Sequence, residues 1–226
     1  MDPARISVLV RPFLDRTLPE VQLRQISTYI DLLLRWNARI NLTAIRDPDE
    51  IVTRHFGESL FLASHLFPET SSMLTETRVL DIGSGAGFPG IPIKLWAPTL
   101  SLTLVESKHK KAAFLREVIR ALTLTDINVI TARAEALVSP QPPADVVTLR
   151  AVESFDAILP IAAKLVAPTG RLALLISSAQ LPALTTVLPN LHWEAPIPIP
   201  QSTSRVLSIS VPIVRLWDRS GKFSLS

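Results

Sequence analysis

The spacing of apolar residues divides the chain into two parts. Between Val21 and Ile40, apolar side chains recur at the three- to four-residue spacing of an amphipathic helix. Acidic residues before and after Pro48 indicate a second helix that starts at Asp47 and runs to about His65. We therefore expect residues 1–70 to form an N-terminal helical region that packs on the rest of the protein.

From Arg78 onward, short apolar runs alternate with helical stretches. The strand candidates are 78–82, 101–105, 127–131, 145–149 and 171–176, and the helix candidates are 90–96, 108–122, 153–166 and 178–188. This alternation is typical of a doubly wound, mostly parallel sheet, so we expect an α/β domain over residues 71–226. Two later extended runs, 191–195 and 205–214, predict an antiparallel pair at one sheet edge.

Composition limits the class of protein. The chain has 226 residues, of which 47% are hydrophobic and 19% charged, so it can bury a full core. It has no cysteine, which excludes disulfide frameworks and thiolate chemistry, and its four histidines show no metal-ligand spacing, so we expect no metal site. We find neither a signal-like start nor an apolar run of the ~20 residues that a bilayer requires, so we expect a cytoplasmic protein without a membrane partner.

Four of the seven glycines lie within eight residues: Gly83, Gly85, Gly87 and Gly90. They follow the apolar run 78–82 and precede a helical stretch. A strand, a glycine turn and a helix N-terminus together build a nucleotide-type site at the carboxyl edge of an α/β sheet. We therefore expect Gly83, Gly85 and Gly87 to contact a ligand.

The sequence of this turn is compatible with two kinds of ligand. The segment from Gly85 to Gly90 matches G-x-G-x-x-G, the dinucleotide pattern, which would suit an NAD-dependent oxidoreductase. Counted from Asp81, the same segment reads acid-x-Gly-x-Gly-x-Gly. A carboxylate repels a pyrophosphate but suits the cationic groups of S-adenosylmethionine. Asp81 therefore favours S-adenosylmethionine, with its carboxylate pointing into the ligand site.

Other candidate ligand groups follow the later strands. Glu106 ends the second strand, where an acid can bind both ribose hydroxyls of either cofactor. Ala134 and Glu135 follow the third strand and are suited to hold an adenine edge. Arg150 ends the fourth strand and suits a carboxylate, a phosphate or a guanine edge.

Basic residues flank this predicted site in two groups. One group, Lys108, Lys110 and Lys111, follows the second strand, and the other lies in the helical region and consists of Arg35, Arg39, Arg46, Arg54 and His55. Either group alone is compatible with an ordinary solvated face. Together they indicate a polyanionic partner such as RNA.

Three segments resemble one known family. Residues 34–48 (LRWNARINLTAIRDP), 54–59 (RHFGES) and 81–92 (DIGSGAGFPGIP) are similar to the motifs of the ribosomal RNA small subunit methyltransferase G family, also called glucose-inhibited division protein B. In the second motif the family has Asp or Glu where this chain has Glu58. The resemblance covers about residues 20–177.

The resemblance implies a class I methyltransferase fold with a seven-stranded sheet. It further implies methyl transfer from S-adenosylmethionine to N7 of a guanine in small-subunit (16S) ribosomal RNA. By position, the family's cofactor contacts fall on Gly83, Phe88, Ala134, Glu135 and Arg150, with Glu106 as a further candidate. The implied partners are this RNA and the small ribosomal subunit, and we expect a monomer.

No catalytic base is assigned, because N7 of guanine carries a lone pair and no proton. Catalysis would then rest on positioning, with Arg150 as a candidate for orienting the substrate. A non-catalytic, ribosome-associated nucleotide-binding module is a third reading of the same sequence.

Overall fold

A seven-stranded sheet forms the centre of the computed structural model, which describes residues 1–68, 77–137, 142–151 and 154–211. The strand order is β3-β2-β1-β4-β5-β7-β6. The strands are β1 (Arg78–Ile82), β2 (Ser101–Val105), β3 (Ile127–Ile130), β4 (Ala144–Arg150), β5 (Val166–Ser177), β6 (Ile197–Pro198) and β7 (Arg205–Ile209). Strands β1 to β5 pair in parallel, and β7 is antiparallel to β5 and β6. The predicted doubly wound, mostly parallel seven-stranded sheet is confirmed.

Eight α-helices surround the sheet in the part of the chain that the structure describes. They are α1 (Pro3–Val10), α2 (Glu20–Asn37), α3 (Pro48–Glu50), α4 (Glu58–Leu66), α5 (Gly90–Trp96), α6 (His109–Ala121), α7 (Phe155–Leu165) and α8 (Leu181–Val187). Between α3 and α4 the chain continues as a π-helical segment, Ile51–Gly57. The run starts where the sequence predicts, because the Asp47 side chain accepts the Glu50 N–H at 2.9 Å and caps α3.

The two faces of the sheet carry different helices. Residues of α1, α2 and α4 share one hydrophobic core with α5 and α6. Helices α7 and α8 cover the opposite face with a second core. The N-terminal helices therefore pack directly on the sheet domain. The predicted domain boundary near residue 70 lies outside the described residues.

The sheet edge differs from the sequence prediction. The run 191–195 does not form a strand, and only Trp193 makes a single bridge, to Ser210. The edge strand is β6, inside the proline-rich stretch, where Pro198 is tolerated because an edge strand needs no ladder bond on its outer side. Strand β7 ends at Ile209, and residues 212–214 of the predicted run lie outside the described part.

Smaller differences concern element ends. Strand β5 begins at Val166 rather than at Arg171, since it pairs with Ala144 at the start of β4 before a register shift.

Within the described residues, no helix combines the length and apolarity that crossing a bilayer requires.

Candidate functional site

A cavity of about 470 Å³ opens at the carboxyl ends of β1, β2 and β4. This is the edge at which doubly wound sheets bind ligands. Its walls include Gly83, Gly85, Phe88, Glu106, Lys108, Lys111, Ala134, Glu135 and Arg150, together with Leu42, Thr43 and His55 from the N-terminal region. The structure therefore brings most of the predicted ligand residues together around one space.

The glycine turn depends on backbone conformations that other residues rarely adopt. Gly83, Gly85 and Gly87 have φ values of 70°, 56° and 90°. The Gly83 and Ser84 amides donate to the Val105 carbonyl at 2.9 and 3.0 Å, which ties the turn to β2. Gly83 and Gly85 line the cavity, whereas Gly87 does not. A Cβ at Gly87 would collide with the Tyr29 hydroxyl, so this glycine serves the packing of α2 against the turn.

The backbone amides of the turn are engaged by the protein itself. Six of them donate to protein acceptors, those of Gly83, Ser84, Gly85, Gly87, Phe88 and Gly90. A pyrophosphate is bound by free amides at a helix N-terminus. Since these donors already have partners, and two of the acceptors are carboxylates, the turn is not suited to a pyrophosphate.

Glu106 supplies one of those carboxylates. Its Oε2 accepts the Gly85 N–H at 2.9 Å and its Oε1 accepts the Lys108 N–H at 2.7 Å. The two bonds fix the carboxylate at the carboxyl end of β2, where it lines the cavity. Each carboxylate oxygen accepts more than one hydrogen bond, so the group can still bind a pair of hydroxyls.

Asp81 differs from the sequence expectation. Its carboxylate does not point into the cavity but lies fully buried beneath the glycine turn. It accepts the Thr148 hydroxyl at 2.8 Å and the Gly90 N–H at 3.3 Å, because the parallel register places Thr148 beside it. Burial raises the pKa of Asp81 to about 6, against the hydrogen bonds of Thr148 and Gly90 that lower it. Asp81 thus supports the turn from behind.

Arg150 is held at the end of β4 by the N-terminal region. Its Nη1 contacts His55 Nδ1 at 3.0 Å, and its Nη2 donates to the Arg54 carbonyl at 2.6 Å and to Glu58 Oε2 at 3.2 Å. All three partners lie on the helical run from α3 to α4. A strand end in the sheet domain is therefore joined to the N-terminal helices at the cavity wall.

His55 is neutral in this arrangement. Burial, together with the nearby guanidinium groups of Arg150 and Arg54, lowers its pKa to about 3. Since Arg150 can only donate, His55 Nδ1 is the acceptor and Nε2 carries the hydrogen, which faces the Thr43 hydroxyl oxygen at 2.8 Å. The ring also stacks on Phe88, with centroids 4.8 Å apart. The π-helical turn thus places His55 between the glycine turn and Arg150.

Two residues of the resemblance motifs, Asn37 and Glu58, have roles that sequence reasoning did not assign. Asn37 Oδ1 accepts the amides of Leu42 and Thr43 at 2.9 and 3.1 Å, and its Nδ2 donates to the Thr43 carbonyl. These bonds hold the loop that brings Leu42 and Thr43 to the cavity, and the only sequence signal for them was an Asn near the end of a helix. Glu58 is buried and pairs with Arg54, Arg150 and Arg205.

Tyr29 carried no sequence signal beyond being the chain's single tyrosine. It lies on the apolar face of α2, where periodicity predicts only core packing. In the structure its hydroxyl donates to the Ala86 carbonyl in the glycine turn.

The two basic groups lie on neighbouring segments of the fold. Helices α2 and α6 pack antiparallel. Gln25, near the start of α2, donates to the Leu122 carbonyl at the end of α6, and Trp36, near the end of α2, contacts Glu117 and Phe114 closer to the start of α6. The end of α2 therefore lies near the start of α6. Lys108, Lys111 and His55 line the cavity, whereas Arg35, Arg39, Arg46 and Lys110 are exposed and are not part of its wall. Arg54 is not in the wall but pairs with Glu58 at 3.2 Å.

Comparison with solved structures supports the fold. The precorrin-6y C5,15-methyltransferase from Geobacter metallireducens matches 68% of this chain and 87% of its own with a TM-score of 0.55. The ribosomal protein L11 methylase from Lactobacillus delbrueckii matches 70% of this chain and 79% of its own with a TM-score of 0.56. At 14% and 16% identity, these similarities show the class I methyltransferase fold alone.

Sequence comparison is more specific. A ribosomal RNA small subunit methyltransferase G from Roseiflexus castenholzii is 48% identical over 145 residues, which are 63% of this chain and 59% of the relative, so the chain matches about three-fifths of that protein's length. The methyltransferase G from Xylella fastidiosa is 39% identical over 192 residues, 83% of this chain and 85% of the relative. The family model for rRNA small subunit methyltransferase G matches residues 22–184. The chain therefore belongs to the rRNA small subunit methyltransferase G (GidB) family.

Proposed function

We propose that this protein transfers a methyl group from S-adenosylmethionine to N7 of a guanine in small-subunit ribosomal RNA. The choice of cofactor rests on one observation, the hydrogen bonding of the backbone amides in the glycine turn. Its amides are engaged by protein acceptors, and the Glu106 carboxylate stands at its edge. This favours a cofactor with hydroxyl groups and positive charge over a dinucleotide with a pyrophosphate.

The cavity fits S-adenosylmethionine in size and in chemistry. Its volume of about 470 Å³ lies within the usual range for small-molecule sites. Glu106 is placed to accept ribose hydroxyls, and Ala134 and Glu135 lie on the wall beside β3, where an adenine edge would be held. Arg150 and Lys111 offer cationic groups for the carboxylate of the amino-acid part. Gly85 has no side chain to obstruct the ligand.

The chain's residues act by positioning. S-adenosylmethionine, when bound, supplies a methyl group on a cationic sulfur. N7 of guanine needs no base to become a nucleophile, and no residue here needs to accept a proton. Arg150 supplies hydrogen-bond donors and neutral His55, stacked on Phe88, supplies an aromatic ring, a combination that suits a flat base with an oxygen acceptor beside N7. Arg150 is thus the candidate for orienting the substrate.

The basic residues support an RNA substrate. Lys108 and Lys111 lie in the cavity wall, and Arg35, Arg39 and Arg46 provide further exposed positive charge in the N-terminal region. Guanine N7 lies in the deep major groove of a paired A-form helix, so the target guanine must be unpaired or splayed out to reach this cavity. A role in which the protein meets the small ribosomal subunit as a monomer in the cytoplasm stays a prediction.

The test is methyl transfer itself. Small-subunit RNA and intact small subunits that lack the modification are incubated with the protein and S-adenosylmethionine carrying a tritiated methyl group. We expect label in the RNA and 7-methylguanosine after digestion to nucleosides. A different methylated nucleoside would refute the guanine-N7 assignment, and no transfer to either substrate would refute the activity.

A binding experiment separates the alternatives. We expect S-adenosylhomocysteine, and not NAD, to raise the melting temperature. Stabilisation by NAD alone would favour the oxidoreductase reading. Stabilisation by S-adenosylhomocysteine without methyl transfer would favour a non-catalytic module.

A further inference from the structure

Glu58 is a buried carboxylate surrounded by guanidinium groups. Its side chain is only 1% exposed. It accepts from Arg54 Nε and from Arg150 Nη2, each at 3.2 Å, and it pairs with Arg205 Nη2. An ionised carboxylate is retained in such a place only when its partners are close and well oriented.

The three arginines come from different parts of the fold. Arg54 precedes Glu58 on the same helical run, Arg150 ends β4 and Arg205 begins β7. Because contacts from three directions fix the carboxylate, it can in turn fix the group that reaches the cavity. Of the three arginines, only Arg150 lines the cavity.

Arg150 has spare hydrogen-bonding capacity. Its bonds to His55, to the Arg54 carbonyl and to Glu58 use three of the five N–H groups of a guanidinium. Among the contacts of the described residues, two N–H groups are left for a ligand. Two oxygen acceptors suit them, the carboxylate of S-adenosylmethionine and O6 beside N7 of the guanine.

We propose that Glu58 is a positioning residue of the methyl-transfer site, which acts by holding the Arg150 guanidinium so that its remaining N–H groups meet an oxygen acceptor in the cavity. The inference rests on the proposed function. Glu58 itself touches neither cofactor nor substrate, because it is buried behind Arg150.

Charge and size are separated by two variants. Glu58→Gln keeps the shape and removes the charge, whereas Glu58→Asp keeps the charge in a shorter side chain. Glu50→Gln is the matched control, because Glu50 also faces Arg54, at 3.8 Å, from a half-exposed position away from Arg150. Circular dichroism and thermal unfolding confirm that each variant is folded.

We expect Glu58→Gln to lose about tenfold to a hundredfold in methyl transfer, as misplacement of an orienting group does. Glu58→Asp should retain most of the activity and Glu50→Gln all of it. Calorimetric titration with S-adenosylhomocysteine identifies the acceptor. A matching loss of affinity points to the cofactor carboxylate, and unchanged affinity with lower kcat points to guanine O6.

A double-mutant cycle tests whether Glu58 acts through Arg150. In the background of Arg150→Gln, adding Glu58→Gln should have no further effect on kcat or on the affinity for S-adenosylhomocysteine. Full additivity of the two substitutions would overturn the proposal.

The ¹⁵N resonances of His55 report the position of Arg150 and require no activity assay. The charged groups around this imidazole are Arg54 on its own helix, Arg150 at the end of β4, and Glu58 and Arg205 behind Arg150. If Glu58→Gln releases Arg150, the pKa of His55 rises from about 3, because a cation has left its Nδ1. If Arg150 stays in place, loss of the carboxylate leaves that pKa equally low or lower.

Two results overturn the proposal. One is wild-type activity together with an unchanged His55 signal in Glu58→Gln, and the other is equal impairment of the Gln and Asp variants, which would indicate packing rather than charge. If the Glu58→Gln variant does not fold, the double variant Glu58→Gln/Arg205→Gln, which removes one charge of each sign, is used instead.

Failure of this proposal is distinguishable from failure of the proposed function. If the wild-type protein binds S-adenosylhomocysteine but does not methylate RNA, the proposed function is refuted, while the binding and NMR tests of Glu58 still apply.

Discussion

Tyr29 lies flat against Phe88, with the ring centroids 5.3 Å apart and the ring planes 4° from parallel. The Tyr29 hydroxyl donates to the carbonyl of Ala86, which lies two residues before Phe88 in the chain. Burial and the nearby Asp81 raise the pKa of Tyr29 well above its usual value, so the hydroxyl stays a donor at all physiological pH values. A helix of the N-terminal region thus supports the glycine turn directly.

Tyr29→Phe should therefore weaken cofactor binding as well as stability. The stacking on Phe88 remains, but the buried Ala86 carbonyl loses its donor, which should lower the free energy of unfolding by about 1–3 kcal/mol. We expect reduced affinity for S-adenosylhomocysteine in calorimetric titration. Thr28→Val, which removes an exposed hydroxyl from the preceding residue, is the control. Unchanged affinity in Tyr29→Phe would show that the turn does not depend on this bond.

Glu106→Gln should reduce cofactor affinity by about tenfold to a hundredfold, the usual effect of losing hydrogen bonds to a charged group. An amide has one acceptor oxygen, so its NH₂ group would face either the Gly85 or the Lys108 N–H. Titration with S-adenosylhomocysteine measures the loss. The control is Glu194→Gln, at a half-exposed site 3.8 Å from Arg171. Equal affinity in the Glu106 and Glu194 variants would contradict the assignment.

Charge reversal at Lys110 and Lys111 should weaken RNA binding and make it less dependent on salt. Each lost phosphate contact lowers the slope of log affinity against log salt by about 0.7 for a single strand. Lys164→Glu, near the end of α7 remote from the cavity, is the matched control. The measurement is RNA affinity over a series of salt concentrations. If the double variant had the wild-type slope of log affinity against log salt, α6 would not be part of the RNA-binding surface.

His55 and Asp81 give stability opposite dependences on pH. The pKa of His55 is lowered from 6.5 to about 3, so between these values only the unfolded chain binds the proton and stability rises with pH. The pKa of Asp81 is raised from 3.8 to about 6, so in that range the folded protein holds the proton and stability falls as pH rises. Where the two ranges overlap, the two effects oppose each other.

Single variants should expose each effect. Between about pH 4 and pH 6, His55→Gln should make the free energy of unfolding decrease with pH relative to the wild type, and Asp81→Asn should make it increase, each by at most about 1.4 kcal/mol per pH unit. Urea unfolding across this range measures both slopes. Parallel curves for the wild type and both variants would show that neither group titrates as the structure indicates.

The sequence determined the elements whose signals are local. The alternation of apolar runs gave the order of strands and helices, and the clustered glycines marked the turn, because periodicity and positive φ are properties of the chain itself. Glu106, Ala134, Glu135 and Arg150 were located by the rule that strand ends meet at one edge of a parallel sheet. Each of these four residues lines the cavity.

Tertiary structure decided what depends on contacts between distant segments. The direction of the Asp81 carboxylate followed from its pairing with Thr148, 67 residues away in the chain, and no local pattern shows that. In the same way, the meeting of Glu58 with Arg150 and Arg205, and of Tyr29 with the glycine turn, required the N-terminal helices to be packed on the sheet. Side-chain direction and charge pairing depend on the neighbours that folding supplies, whereas the backbone preferences of strands, helices and turns are already present in the chain.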